Sequence, residues 1–349
     1  MVQQERVNQR WILDRRPAGR VAAGDLRLEK QPVPELMPGQ ILIRNVYLSL
    51  DPSSRIWMSD EDQYMPPVEI GNVMRGLVYG IVEASASDRI EAGKLVSPAF
   101  GGWETYTIAE AAMTRVIQPS AGEALSDYAG VLGPTGITAW LGLREIGHPA
   151  AGETVVVSAA AGAVGSVACQ IAKFDGCRVI AIAGSDEKCA WLRDEAGVDG
   201  TINYRSEAIG SRLDALCPDG IDVAFENVGG EIMNEVFARL NDFGRMVVCG
   251  LISSYNLDGP APGPSDFGRV LMRRLTIRGF IASDFRKQIP TALEELGALA
   301  QSGRLKTRTH IVDGLETAPD ALNMLYSGEN RGKLLLRISP EEGANARHE

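Results

Sequence analysis

The segment from Thr154 to Ala183 constrains the chain most. Thr154-Val155-Val156-Val157-Ser158 reads as a β-strand and Ala159-Ala160-Ala161-Gly162-Ala163-Val164-Gly165 as a small-residue turn. Val167, Ile171 and Phe174 then recur at helical spacing before a second strand, Arg178 to Ala183. Strand, glycine turn, helix and strand in that order make a βαβ unit, in which backbone N–H groups and a helix N-terminus can meet a pyrophosphate. The turn follows A-x-G-x-x-G, with Ala160 where the commonest fingerprint has its first glycine. A small-residue turn also serves simply to pack a helix close to a strand, so the match alone leaves that reading open. The strand before it and the helix after it favour a phosphate-bearing cofactor.

A chain of 349 residues exceeds one core of ordinary size, which predicts two lobes. Its formal net charge of −10 argues against nucleic acid as a partner, because phosphate neutralisation needs a basic surface. Small anions need only a local cluster. Met1 to Arg20 lacks the uninterrupted apolar run of a secretory signal, which predicts a cytoplasmic protein. Gln170 and the glycine turn interrupt the one long apolar stretch, so no membrane span is expected. Five scattered cysteines, Cys169, Cys177, Cys189, Cys217 and Cys249, show no C-x-x-C spacing and suit a reducing compartment. His148, His310 and His348 form no cluster with those thiols at metal-ligand spacing, so no metal site is expected.

Upstream of the glycine turn the pattern is short and β-like: Trp11 to Leu13, Leu26 to Glu29, Gln40 to Arg44, Gly76 to Glu83, Leu95 to Pro98 and Trp103 to Ile108. Pro32, Pro34 and Pro38-Gly39 punctuate the first of these, as in an antiparallel β lobe. Gly133-Pro134-Thr135-Gly136-Ile137-Thr138 then feeds an apolar helix. That turn is either plain helix entry or a cofactor-facing element carrying Thr138. Downstream, Ile221 to Asn227 and Gly244 to Gly250 read as strands around a helix from Ile232 to Leu240. Ile252 to Pro264 is a Gly/Pro-rich loop carrying Tyr255. Leu275 to Phe280 is a further strand and Ile289 to Gln301 an amphipathic helix. From Leu305 the pattern becomes β-like again, as expected of a tail that completes the first lobe, and the last ten or so residues read as disordered.

The end of the second βαβ strand bears on which dinucleotide is bound. Sites for the unphosphorylated form usually place a carboxylate there, about 20 residues past the glycines. Here the strand ends Ala183-Gly184-Ser185, and Asp186 and Glu187 fall in the first turn of the next helix, where they can face solvent and complement its dipole. Ser185, Lys188 and Tyr204 together suit a 2′-phosphate, although Lys188 reads equally well as an exposed helix lysine. Asn227 and Cys249-Gly250 close two strands at their carboxyl ends, the edge at which open parallel sheets bind ligands.

Four separated motifs carry a resemblance: Ala159 to Ser166, Gly184 to Lys188, Phe225-Glu226-Asn227-Val228-Gly229-Gly230, and Cys249-Gly250-Leu251-Ile252-Ser253-Ser254-Tyr255-Asn256. With Tyr47 to Pro52 and Gly328 to Lys333 they resemble the zinc-independent branch of the medium-chain dehydrogenase/reductases that holds the prostaglandin, alkenal double-bond and curcumin reductases. The resemblance implies an α/β fold, with a Rossmann doubly wound parallel sheet and a GroES-like irregular β-barrel catalytic domain. The implied division is 1–126 and 304–349 for the catalytic domain and 127–303 for the NADP-binding domain. It implies NADPH, with Gly162, Ala163 and Val164 against the pyrophosphate, and with Gly184, Ser185, Lys188 and Tyr204 at the 2′-phosphate end. Asn227, Cys249 and Asn330 would surround the nicotinamide half. Two departures stand out: Asp51-Pro52 continues Ser53-Ser54-Arg55 where relatives often have Tyr-Met-Arg, and Trp140 stands where Tyr is usual.

The implied reaction is reduction of the C=C bond of an α,β-unsaturated ketone or aldehyde, without metal. Tyr255 and a cofactor ribose hydroxyl would act on the developing enolate oxygen. Tyr255 reads equally well as an aromatic wall. Quinone reduction and cofactor binding without turnover are the competing expectations. Relatives pair through the edge strand, here Leu275 to Phe280, which implies a homodimer; Arg273, Arg274 and Arg278 can instead blunt that edge.

Overall fold

A computed structural model describes residues 6–120 and 122–341. The disordered tail expected from the sequence lies almost wholly outside them. The chain divides into two compact units: 1–129, 310–329 and 334–349 form the first, and 130–309 with 330–333 the second.

The first unit begins with a hairpin of β1 (Val7–Leu13) and β2 (Leu26–Pro32), paired antiparallel. β3 (Gln40–Ser49), β4 (Arg75–Ser85), β5 (Leu95–Pro98), β6 (Gly101–Gly102), β7 (Tyr106–Glu110) and β8 (Thr114–Ile117) follow, joined by antiparallel pairings. Leu13, Leu48, Leu50, Met58, Met74, Val78 and Trp103 build its core together with Leu315, Leu322 and Leu336 from the chain's far end. Trp11 Nε1 donates to the Leu315 carbonyl at 2.7 Å, tying the two ends of the chain inside this unit.

The second unit carries β9 (Thr154–Val157), β10 (Arg178–Ala183), β11 (Gly200–Asn203), β12 (Ile221–Glu226), β13 (Leu240–Val248) and β14 (Thr276–Gly279). They form one parallel sheet in the order β11-β10-β9-β12-β13-β14. This is the doubly wound Rossmann order, whose chain reverses direction across the sheet between β9 and β12. All four residues of β9 are buried, as a central parallel strand covered on both faces requires. Its helices are α1 (Pro134–Leu141), α2 (Ala163–Phe174), α3 (Asp186–Asp194), α4 (Ile209–Leu216), α5 (Gly230–Phe237) and α6 (Ile289–Gln301). Ile209, Leu213, Ile232, Val236 and Phe237 from α4 and α5 pack with Val156, Ile180, Ile202 and Ala224 of the sheet.

Buried Gln170 on α2 is satisfied by chain ends far from it in sequence. Its amide donates to the Ser166 and Lys306 carbonyls at 3.0 and 2.8 Å and accepts from the Lys306 N–H at 2.7 Å. Among the described residues no helix is long and apolar enough to cross a membrane.

Three local expectations change. The helix expected over Ile232 to Leu240 ends at Phe237, and Leu240 already begins β13, because its side chain enters the sheet core. The tail from Leu305 is not purely β-like: a ten-residue helix, α7 (Ala318–Ser327), separates β15 (Thr309–Asp313) from β16 (Lys333–Arg337). Pro319 in its first turn and Gly328 at its end, with φ +71°, are helix-boundary residues that resemble β-turn punctuation when read along the sequence. β14 is an edge strand, but Arg273 and Arg274 are taken up by Asp242, and Arg278 donates to the Glu145 carbonyl at 3.4 Å.

Candidate active site

The carboxyl edge of the parallel sheet gathers most of the residues singled out from the sequence, in three groups. At the first, the chain leaves β9 through Ser158 and a tight turn in which Ala159 takes φ +45°. Gly162 caps α2, and Ala163 and Val164 form its first turn, so their N–H groups lie among the four that a helix start leaves unpaired within itself. Gly165 permits the close approach of helix to strand: a Cβ there would lie 2.5 Å from the Ala159 carbonyl oxygen. Gly162 also bridges to Gly332, which brings the late segment 330–333 alongside the turn. Asn330, 9% exposed, stands in that segment with its amide donating to the Gly332 carbonyl at 2.9 Å.

The second group stands at the end of β10. Ser185 caps α3, its hydroxyl accepting from the Lys188 N–H at 3.3 Å. Gly184 is a cradle, since a Cβ there would lie 2.8 Å from the Tyr204 hydroxyl. Arg205 stacks on the Tyr204 ring at 5.9 Å. Burial, and after it the like charges of Arg205 and Arg331, press the Lys188 ammonium below its ordinary value, with Glu187 opposing. Lys188 is therefore not the simple exposed helix lysine. Nor do its acidic neighbours merely face solvent: Asp186 Oδ1 accepts from Asn203 Nδ2 at 2.7 Å, and Glu187 meets Arg331 at 3.2 Å and Arg308 at 3.7 Å.

The third group joins the ends of β9, β12 and β13. Glu226 is 1% exposed, and its Oε1 accepts from the Ser158 hydroxyl at 2.9 Å, the Val228 N–H at 2.6 Å and the Gly229 N–H at 2.7 Å. Burial lifts its carboxyl above the ordinary glutamate range, and those donors pull the other way. Ser158 Oγ accepts in turn from the Asn227 N–H at 2.8 Å, and Asn227 Nδ2 donates to the Ser158 carbonyl at 2.7 Å, which leaves the Asn227 carboxamide in one orientation. Burial, with the charge of Glu226, pushes the Cys249 thiol up to about 12, so it stays protonated and inert at neutral pH. Tyr255 folds back over Gly250, its hydroxyl accepting from the Leu251 N–H at 3.0 Å, and a Cβ on Gly250 would lie 3.2 Å from that oxygen. Beside it, Asn256 Oδ1 is buried without a hydrogen-bond partner.

Thr138 stays apart from these groups: its hydroxyl donates to the Pro134 carbonyl one turn earlier on α1, at 2.8 Å. The sequence reading passed over Ser158, Glu226, Arg205, Glu187 as an ion-pair partner, and Arg331. A carboxylate closing the apolar run Val223-Ala224-Phe225 was the one legible signal among them, because a charge at the end of a buried strand must find partners. In the first unit Tyr64 was also passed over. Its hydroxyl accepts from Trp57 Nε1 at 2.8 Å and is hydrogen-bonded to Ser53, the position where relatives often carry tyrosine.

Residues 9–117 match the family described as the N-terminal domain of oxidoreductase, and residues 163–298 the family described as zinc-binding dehydrogenase. A putative NADP-dependent oxidoreductase of Bacillus subtilis is 41% identical over 330 residues, covering 94% of this chain and 96% of that one. This chain is a medium-chain dehydrogenase/reductase. Within that superfamily it belongs to the branch of curcumin, alkenal and prostaglandin reductases. The NADPH-dependent curcumin reductase of Escherichia coli is 39% identical over 358 residues, 98% of this chain and 100% of that protein. The crystal structure of CurA from Vibrio vulnificus in complex with NADPH superposes with a TM-score of 0.90 at 38% identity, covering 95% of this chain and 99% of that one. As in other medium-chain dehydrogenase/reductases, the parallel sheet presents its carboxyl edge to the residues described above. Among the described residues no group of three or more His, Cys, Asp or Glu is placed to hold a metal ion.

Proposed function

We propose that this protein is an NADPH-dependent ene-reductase that saturates the C=C bond of α,β-unsaturated ketones or aldehydes. The observation that carries the reading is the make-up of the sheet's carboxyl edge. At the end of β10, where a 2′-hydroxyl would call for a carboxylate, there stand instead Ser185, the half-buried ammonium of Lys188 and the hydroxyl of Tyr204 over Gly184. The residues fit the cofactor on two further counts. The Gly162 turn offers a helix N-terminus to a pyrophosphate, and the orphaned Asn256 Oδ1 is a buried acceptor that suits a ligand carrying N–H or O–H donors.

Under this reading Gly162, Ala163 and Val164 hold the pyrophosphate, Gly184, Ser185, Lys188 and Tyr204 the phosphorylated ribose, and Asn227, Cys249 and Asn330 the nicotinamide half. The chemistry the bound cofactor supplies is a hydride for the substrate's β-carbon. What remains for the chain is the negative charge that develops on the carbonyl oxygen. Tyr255 suits that task, since its oxygen already accepts from the Leu251 N–H and its own proton is available for donation. The Glu226–Ser158–Asn227 network acts one step back, holding the edge in one geometry so that no reorganisation is needed during reaction.

Oxidation of NADPH in the presence of a conjugated enone, the matching saturated ketone and a quinone tests the reading. Turnover of the enone alone is expected. Quinone turnover without enone turnover would make the protein a quinone reductase, and binding of NADPH without any turnover would make it a binding protein. Tyr255→Phe should lower kcat/KM about a hundredfold, roughly 3 kcal/mol for one lost donor to the oxyanion. Wild-type kcat and kcat/KM in that variant would remove Tyr255 from the chemistry.

A further inference from the structure

The cations at the end of β10 exceed what the sequence assigned there, and the surplus is held by one carboxylate. Glu187 receives Arg331 at 3.2 Å and Arg308 at 3.7 Å, and the charges of Arg331 and Arg205 both act on Lys188. The other acidic side chain of that helical turn, Asp186, is engaged by the Asn203 amide at 2.7 Å. Arg308 has a second anchor, the Trp191 ring, at 5.4 Å.

Arg331 projects from a backbone that is fixed on both sides. Gly332 bridges to Gly162 and takes φ +79°, and the Lys333 N–H donates to the Arg308 carbonyl at 2.8 Å. Its guanidinium is thereby stationed beside Lys188, with the pyrophosphate turn next to its own backbone. The ion pair that engages it is open to water, the two side chains being 64% and 50% exposed, and such a pair contributes little net free energy. A phosphate monoester carries about −1.5 to −2 charge and three acceptor oxygens, and arginine's fork is suited to it. It outcompetes a single half-exposed carboxylate.

We propose that Arg331 is a second reader of the cofactor's 2′-phosphate, and that Glu187 is its positioning residue and resident counter-ion, displaced from Arg331 when that phosphate arrives. The inference rests on the NADPH reading above. Its consequence is a discrimination that arises by exchange. A dinucleotide without the 2′-phosphate leaves the Glu187–Arg331 pair intact and gains nothing from it, whereas the phosphorylated form gains Arg331 at the cost of a weak pair. Glu187 also holds the affinity below what the cations alone would give, which favours release of the oxidised cofactor.

Equilibrium binding of NADP+, NAD+ and adenosine 2′,5′-bisphosphate to the full chain, followed by calorimetry, tests this without turnover. Arg331→Gln should weaken NADP+ and adenosine 2′,5′-bisphosphate about tenfold and leave NAD+ unchanged. Glu187→Gln should tighten both phosphorylated ligands several-fold. In an Arg331→Gln background that tightening should largely vanish, which separates exchange at Arg331 from a general loss of negative charge. Equal weakening of NADP+ and NAD+ by Arg331→Gln, no tightening by Glu187→Gln, or full tightening by Glu187→Gln without Arg331 would each overturn the inference. Wild-type protein that binds NADP+ no better than NAD+ would instead overturn the NADPH reading itself.

Discussion

Two glutamates at the carboxyl edge of one sheet behave oppositely. Glu226, at the end of β12, is buried, and a single oxygen of it satisfies two backbone N–H groups and a hydroxyl. Glu187, in the first turn of α3, is half exposed and faces two guanidiniums across water-accessible space. The difference lies in what each would leave behind. Without Glu226, three donors lose their acceptor in a place water does not reach; without Glu187, two exposed cations are simply hydrated. One carboxylate is part of the architecture of the edge, while the other can change partners.

The contrast breaks most readily at Glu226. Glu226→Ala should cost about 3 kcal/mol or more in chemical denaturation, because Val228, Gly229 and Ser158 are left as unpaired buried donors. Glu226→Gln, which keeps a carbonyl oxygen, should cost clearly less; an alanine variant within about 1 kcal/mol of wild type would undo the contrast. The pH dependence sharpens it. Burial raises this carboxyl, so the folded chain keeps the proton to higher pH than the unfolded chain does. Its contribution is therefore full below the ordinary glutamate pKa and declines as pH climbs toward the raised folded value. The stability difference between wild type and Glu226→Gln should shrink over that window, and a difference that grows with pH would mean that the donors outweigh burial.

Gly332→Ala comes next. A Cβ there would sit 2.1 Å from the Arg308 carbonyl oxygen on a residue at φ +79°, and a loss of about 2 kcal/mol is expected, accompanied by displacement of Arg331. Unchanged thermal unfolding in that variant would mean that the segment 330–333 is less firmly seated than its hydrogen bonds indicate. The smallest effect is expected at the other glutamate: Glu187→Gln should leave stability within about 0.5 kcal/mol of wild type, even as it alters cofactor affinity. A loss comparable to that of Glu226→Ala would erase the distinction between the two.

Much of the second unit was legible along the chain because its signals are local. Four buried β-branched or similar residues, a small-residue turn and an apolar helix sit within one βαβ unit, and α6 occupies the expected residues Ile289 to Gln301. Ser185, Lys188 and Tyr204 were legible for the same reason, being neighbours of one strand end. The helix α7 was missed where Pro319 and Gly328 imitate β-turn punctuation. Glu226 was passed over because two of its three partners are backbone amides, which every sequence contains and none advertises.

From the residues alone came the period of the strands and helices, the glycine turn, and a strand end that lacks the expected carboxylate. These follow from covalent geometry and near-neighbour sterics, which act over a few residues. Only the tertiary structure decided that Arg331 stands opposite Glu187, that Gly332 touches Gly162, and that Gln170 is satisfied by Lys306. Each of these joins residues more than a hundred positions apart, and the physical reason is the same in every case. Charge, hydrogen bonding and steric fit act through space, and the chain has to be packed before distant residues come within their reach.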